Sequence, residues 1–114
     1  MKKIKVEKPW GNFEQFCHNE RVTVKLLHVN ANEELSLQYH HNRDEFWKVI
    51  AGTGSIIIGD KIQIGNVGDE FFIKKEERHQ IKTTNSSLSI LEISNGDFDE
   101  NDIVRLMDKY NRIR

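Results

Sequence analysis

From Ile4 to Ser94 the chain breaks into short runs in which apolar and polar residues alternate, each closed by a turn signal, with almost no helical periodicity before Gly96. Alternation at a period of two sends successive side chains to opposite faces of a strand, so such a chain must fold as sheets that bury one face. The runs are Ile4 to Val6, ended by Pro9; Asn12 to Cys17; Arg21 to Val29; Leu35 to His40; Phe46 to Ile50; Ser55 to Ile58; Lys61 to Ile64; Phe71 to Ile73; His79 to Thr84; and Leu88 to Ser94. Gly52-Thr-Gly54 reads as a turn after Ile50, and Gly59-Asp60 as a compact hairpin. Many short strands at this spacing make an all-β sandwich or barrel, the jelly roll among them. Beyond Gly96 the pattern changes. Ile103, Leu106, Met107 and Tyr110 fit one helical face, so a short C-terminal helix or turn packed against the barrel is expected.

At 114 residues the chain is long enough for one core and too short for two, which makes residues 1–114 a single domain. Seventeen Lys and Arg against eighteen Asp and Glu leave a net charge of -1, so nucleic acid and anionic membrane surfaces are not the expected partners. No apolar run approaches the roughly 20 residues of a membrane span, and the opening Met1-Lys-Lys-Ile-Lys-Val-Glu lacks the apolar segment of a signal peptide. The expected compartment is the cytoplasm. The lone Cys17 has no partner for an internal disulfide and reads as a strand residue rather than a ligand or nucleophile.

One stretch carries chemistry. In Leu35-Ser-Leu-Gln-Tyr-His-His-Asn-Arg-Asp-Glu-Phe-Trp47, Gln38 and His40 share a strand face. A polar turn through His41 to Asp44 folds Glu45 back beside them. His41 is out of phase with His40 and faces away. An amide oxygen, an imidazole and a carboxylate suit a divalent ion such as Zn, Mn, Fe, Co or Ni, and no thiolate is on offer. His79, at the start of a later strand, can reach the same interior as a fourth ligand. Solvated strands also carry such residues, so spacing alone does not decide the matter.

The sequence goes further by resemblance. Gln38-x-His40, Glu45 and then Gly52 resemble the first cupin motif, with Gln in place of its usual first His, and Gly68 followed by His79 resembles the second. Lys8-Pro-Trp-Gly11, Arg43-x-Glu-x-Trp47, Asp102-Ile-Val-Arg105 and Asp108-x-Tyr110 are similar to type II phosphomannose isomerases over nearly the whole chain. The resemblance implies a cupin jelly-roll β-barrel, here the isomerase domain without the nucleotidyltransferase domain that commonly precedes it. It departs at Asn32, where the first motif usually starts with Gly, and at Lys74-Lys-Glu-Glu-Arg78, a charged turn where the second usually has Pro-x-Gly.

What it implies in function is metal-dependent isomerisation of an aldose phosphate to a ketose phosphate, most simply mannose 6-phosphate to fructose 6-phosphate, feeding nucleotide-sugar synthesis. Gln38, His40, Glu45 and His79 would hold one divalent ion, zinc first. A cation near the sugar oxygens and a phosphate anchor are also required, and Arg suits both through its planar fork of donors. Arg105, in the segment that resembles the family's tail, is the expected catalytic cation. Arg43, Lys48, Lys82 and Arg112 are the further substrate-binding cations, and Trp47 is a wall of the pocket or core. No general base is readable. Two alternatives stand beside this reading: an isomerase or epimerase of another phosphorylated or nucleotide-linked sugar, and a non-catalytic cupin that binds sugar and keeps its metal as a cross-link. A homodimer is expected, with Ile4 to Val6 as a strand to add to a partner's sheet.

Overall fold

The computed structural model describes residues 2–112, among which there are ten strands and no helix. They are β1 (Ile4–Lys8), β2 (Gly11–Gln15), β3 (Val22–Val29), β4 (Leu37–Tyr39), β5 (Glu45–Ile58), β6 (Lys61–Asn66), β7 (Glu70–Ile73), β8 (His79–Lys82), β9 (Leu88–Asn95) and β10 (Val104–Met107). β5 is the axis. Its first half pairs antiparallel with β9 and β7, and its second half with β8 and β6. One strand therefore belongs to two curved layers, with β3-β9-β5-β7 on one side and β10-β4-β8-β5-β6 on the other.

Between the layers lies a core of Val29, Trp47, Val49, Ile56, Ile73, Ile81, Leu88 and Ile90. Burying each such side chain is worth roughly 1.5–3 kcal/mol, which fixes the strand register, since a one-residue slip would expose the whole set. Along β5 the inward residues are Glu45, Trp47 and Val49, so the interior changes from polar to apolar within one strand. The polar end is the site.

Two expectations are corrected. Gly52-Thr-Gly54 is not a turn; β5 runs straight through it, with a register irregularity between Val49 and Ala51. Gly52 is there for close approach, because a Cβ built on it would lie 1.9 Å from the Ser87 carbonyl oxygen, and its φ is +74°. The tail holds turns at residues 100–101 and 109–110 but no helix, and between the turns lies a strand. Val104–Met107 adds as β10 to the edge of β4, pairing Val104 with Tyr39 and Arg105 with Gln38. Leu106, Met107 and Tyr110, which suggested a helical face, are exposed. Pairing the open edge of β4 satisfies more backbone groups than a helix without a buried face could.

β1 and β2 form a separate two-stranded hairpin. Phe16, just after it, packs on Phe46 with ring centroids 5.4 Å apart, and Lys3 Nζ lies 2.6 Å from Glu70 and 2.7 Å from Glu14.

Candidate metal centre

Glu45 opens β5, His79 opens β8, and His40 follows β4. These three converge at the polar end of the interior, at 1%, 2% and 3% exposure respectively, with one ligand atom of each within 4.8 Å of the others. The first carboxylate oxygen of Glu45 is 3.8 Å from His79 Nε2, and the second is 3.5 Å from His40 Nε2.

The tautomers follow from the other ring nitrogens. His40 Nδ1 donates to the Asp102 carbonyl at 2.7 Å, and His79 Nδ1 to the Glu77 carbonyl at 2.9 Å. Both Nε2 atoms are thereby left as acceptors aimed at a carboxylate. Burial pushes both imidazoles below the ordinary histidine value, with the Glu45 charge pulling the other way, so the rings are neutral. Three electron-rich groups thus face one another, none of them donating a proton to another. His79 Nε2 is buried with no hydrogen-bond partner. Such a donor set calls for a cation, and its nitrogen and oxygen composition fits a divalent metal.

Arg43 supplies part of the positive charge. Its Nε donates to Glu45 at 2.9 Å and its Nη2 to His40 Nε2 at 3.2 Å, while its Nη1 reaches the Asp99 carbonyl at 3.2 Å. Trp47 Nε1 donates to the other Glu45 oxygen at 3.2 Å. The guanidinium also lies over the Phe98 ring, 4.3 Å from its centroid, and Lys25 Nζ lies 4.1 Å from the same centroid. Phe98 belongs to a strap between β9 and β10 that crosses the polar end. Asp102 anchors this strap by accepting from the backbone N–H groups of His41 and Asn42 at 2.9 and 3.0 Å. The charged turn Lys74-Lys-Glu-Glu-Arg78 holds the opposite side, since Lys75 N–H donates to Asp44 and Glu76 N–H to the His40 carbonyl.

Ladder register places the remaining residues. Residues directly opposite in antiparallel strands share a face. His79 faces Gln38 across β8 and β4, and Gln38 faces Arg105 across β4 and β10. Gln38 and Arg105 therefore look toward the same interior as His79. Gln38 Oε1 accepts from Ser36 Oγ at 2.6 Å and keeps a second lone pair. Arg105 Nε is buried without a partner, as is Ser94 Oγ, which lies opposite Glu45. Together with His79 Nε2 these are the buried side-chain atoms lacking partners among the described residues, and all three belong to this end of the molecule.

Lys48, Lys82 and Arg112 do not join them. Lys48 is out of phase with Glu45 and Trp47 and bonds Glu70 on the outer face. Lys82 is out of phase with His79 and Ile81 and lies near Glu34, and Arg112 is held by Asp108 in the tail. Trp47 is 1% exposed, so it backs Glu45 instead of lining open space. Sequence reasoning missed Ser94, Glu92 and Lys25. Val24 and Leu26, the apolar residues that alternate with Thr23 and Lys25 in β3, are 56% and 53% exposed, and Thr23 and Lys25 take the inward positions opposite Ser94 and Glu92. The available signal was a single carboxylate in the apolar run Leu88 to Ser94.

The family model described as mannose-6-phosphate isomerase C-terminal matches residues 1–108. Mannose-1-phosphate guanylyltransferase 2 of Escherichia coli O157:H7 is 34% identical over 107 residues, covering 92% of this chain and 22% of the relative. The xanthan biosynthesis protein XanB of Xanthomonas campestris pv. campestris is 34% identical over 110 residues, 95% of this chain and 24% of that protein. The chain thus spans about a quarter of the length of these relatives. Among solved structures, a cupin protein from Bacteroides fragilis superposes with a TM-score of 0.61 at 22% identity, over 68% of this chain and 70% of that one. A dTDP-6-deoxy-D-glucose-3,5-epimerase from Legionella pneumophila superposes with a TM-score of 0.68 at 11% identity, over 90% of this chain and 69% of that one. With its cluster of His40, Glu45 and His79 at the polar end of a cupin fold and a family match over nearly all its length, the chain belongs to the mannose-6-phosphate isomerase C-terminal family.

Proposed function

We propose that this domain is a metal-dependent aldose–ketose isomerase of a sugar phosphate, most simply of mannose 6-phosphate and fructose 6-phosphate, serving nucleotide-sugar synthesis. The observation that supports it most is the cluster of His40, Glu45 and His79, three buried acceptors within 4.8 Å, with the His79 nitrogen unpartnered. Gln38 completes the set from its place opposite His79. The ion is zinc first, with Mn, Fe, Co and Ni served by the same ligands. Bound there, it supplies Lewis-acid polarisation of the sugar carbonyl.

The protein's own groups do the rest. Isomerisation removes a proton from the carbon beside the carbonyl and develops oxyanion charge, and the buried, unpartnered Nε of Arg105 supports a role for that residue in meeting the charge. Arg43 neutralises Glu45 and holds the strap by the Asp99 carbonyl, which keeps water from the polar end.

The test is direct. Purified without added metal, the protein is expected to carry one divalent ion per chain. It should turn over mannose 6-phosphate, lose that activity to a chelator and regain it on adding metal. A panel of other sugar phosphates distinguishes a different isomerase or epimerase. Sugar binding without turnover would make the protein the non-catalytic cupin instead.

A further inference from the structure

Metal ligands and Arg105 leave the proton transfer itself unassigned, and the inner wall holds one more ionisable group. Glu92 lies on β9 directly opposite Trp47 on β5 and Lys25 on β3. Trp47 is fixed inward by its bond to Glu45, so Glu92 looks into the same interior. It sits one inward position along β9 from Ser94, the residue that faces Glu45. Its side chain is only 7% exposed, yet no hydrogen bond or ion pair reaches its carboxyl among the described residues. The charged groups that bear on it are Lys25 from β3, Arg43 from the turn before β5, Glu45 from β5 and Glu100 from the strap. The Glu92 oxygens are not sealed off, since the fully enclosed atoms without partners among the described residues are those of His79, Ser94 and Arg105, and a largely buried carboxyl that bonds nothing adds no stabilising contact of its own.

We propose that Glu92 is the general base of the isomerisation, taking the proton from the carbon beside the sugar carbonyl and returning it to the neighbouring carbon. This rests on the isomerase reading above. In the forward step the C2–H bond of the aldose breaks, its electron pair forms the C1–C2 double bond, and the carbonyl oxygen takes the negative charge. In the return step the protonated Glu92 gives that proton to C1, the C2 oxygen becomes the carbonyl, and its hydroxyl proton passes to the C1 oxygen. Nothing is oxidised or reduced overall. Burial, and after it the negative charge of Glu45, pushes the Glu92 carboxyl up to about 7. A base is most effective when its affinity for protons lies near the working pH, which a solvated carboxylate cannot offer.

Glu92→Gln keeps the shape and removes the base. With metal-loaded protein, turnover is expected to fall on the order of a hundredfold to ten-thousandfold, with the Michaelis constant within about threefold and the metal content unchanged. Exchange of the substrate C2 proton with solvent deuterium should fall in step. Wild-type activity should rise through an acidic limb, and Lys25→Met, which leaves Glu92 in place, should move that limb to higher pH by removing a charge that favours the carboxylate. The acidic limb should vanish from the residual activity of Glu92→Gln, whereas a merely structural carboxylate would leave that limb in place. An active Glu92→Gln protein, or a limb unmoved by Lys25→Met, overturns the role of Glu92 while the isomerase reading stands. A wild-type protein idle on every sugar phosphate overturns both.

Discussion

Arg105 reaches the interior with its Nε buried and unpaired, a costly state for a guanidinium unless an anion arrives. If that anion is the oxygen on which charge develops, Arg105→Ala lowers the turnover number about a hundredfold to a thousandfold with metal content intact. Arg105→Lys recovers little, because a point charge does not reproduce a planar fork. A phosphate anchor behaves differently, raising the Michaelis constant with little change in turnover. Steady-state kinetics of the two variants separate these roles, and parameters within about twofold of wild type would remove Arg105 from the site altogether.

At the scale of elements, β5 joins the two layers and its continuity depends on Gly52. With φ at +74° and the Ser87 carbonyl where a Cβ would stand, alanine meets both backbone strain and a clash with main chain that cannot swing aside. Gly52→Ala is therefore expected to cost about 2–4 kcal/mol in urea unfolding. Because β5 carries Glu45 at one end and pairs β8, which carries His79, the same change should also weaken metal binding. A stability within about 0.5 kcal/mol of wild type would show that the strand bends freely there. The strap works on the opposite flank. Its Asp102 carbonyl sets the His40 tautomer and its carboxylate caps the N–H groups of His41 and Asn42, so one residue orients His40 and the turn that follows it.

Over the whole molecule, the β1–β2 hairpin is the part least supported by its own chain. Two strands alone are marginally stable in water, yet this pair leaves Trp10 72% exposed, and the neighbouring outer face leaves Val24, Leu26 and Phe72 exposed. We propose that a second copy covers them. Ile4–Lys8 is paired to β2 within the chain, so the strand expected to join a partner has one edge engaged and the other open. Sedimentation at micromolar concentration should give a dimer, and a monomer would overturn the proposal.

The sequence by itself determined the strands, because alternation of apolar and polar residues is a local property that backbone geometry reads directly. It also pointed to His40 and Glu45 through the short turn that separates them, and to His79 through its place at a strand start and the motif it resembles. Other features were decided by tertiary structure. Which face of β3 is inward depended on what β9 and the strap put opposite it, so two apolar residues went out and Lys25 went in. The tail became a strand because β4 had an open edge, which no local pattern in the tail records. Lys48 and Lys82 left the site because a strand alternates faces and each falls one residue out of phase with a residue that points in. Glu92 and Ser94 entered it for the converse reason: their inward phase is set by partners more than forty residues distant in sequence, Glu45 and Trp47, and appears only when the sheet closes.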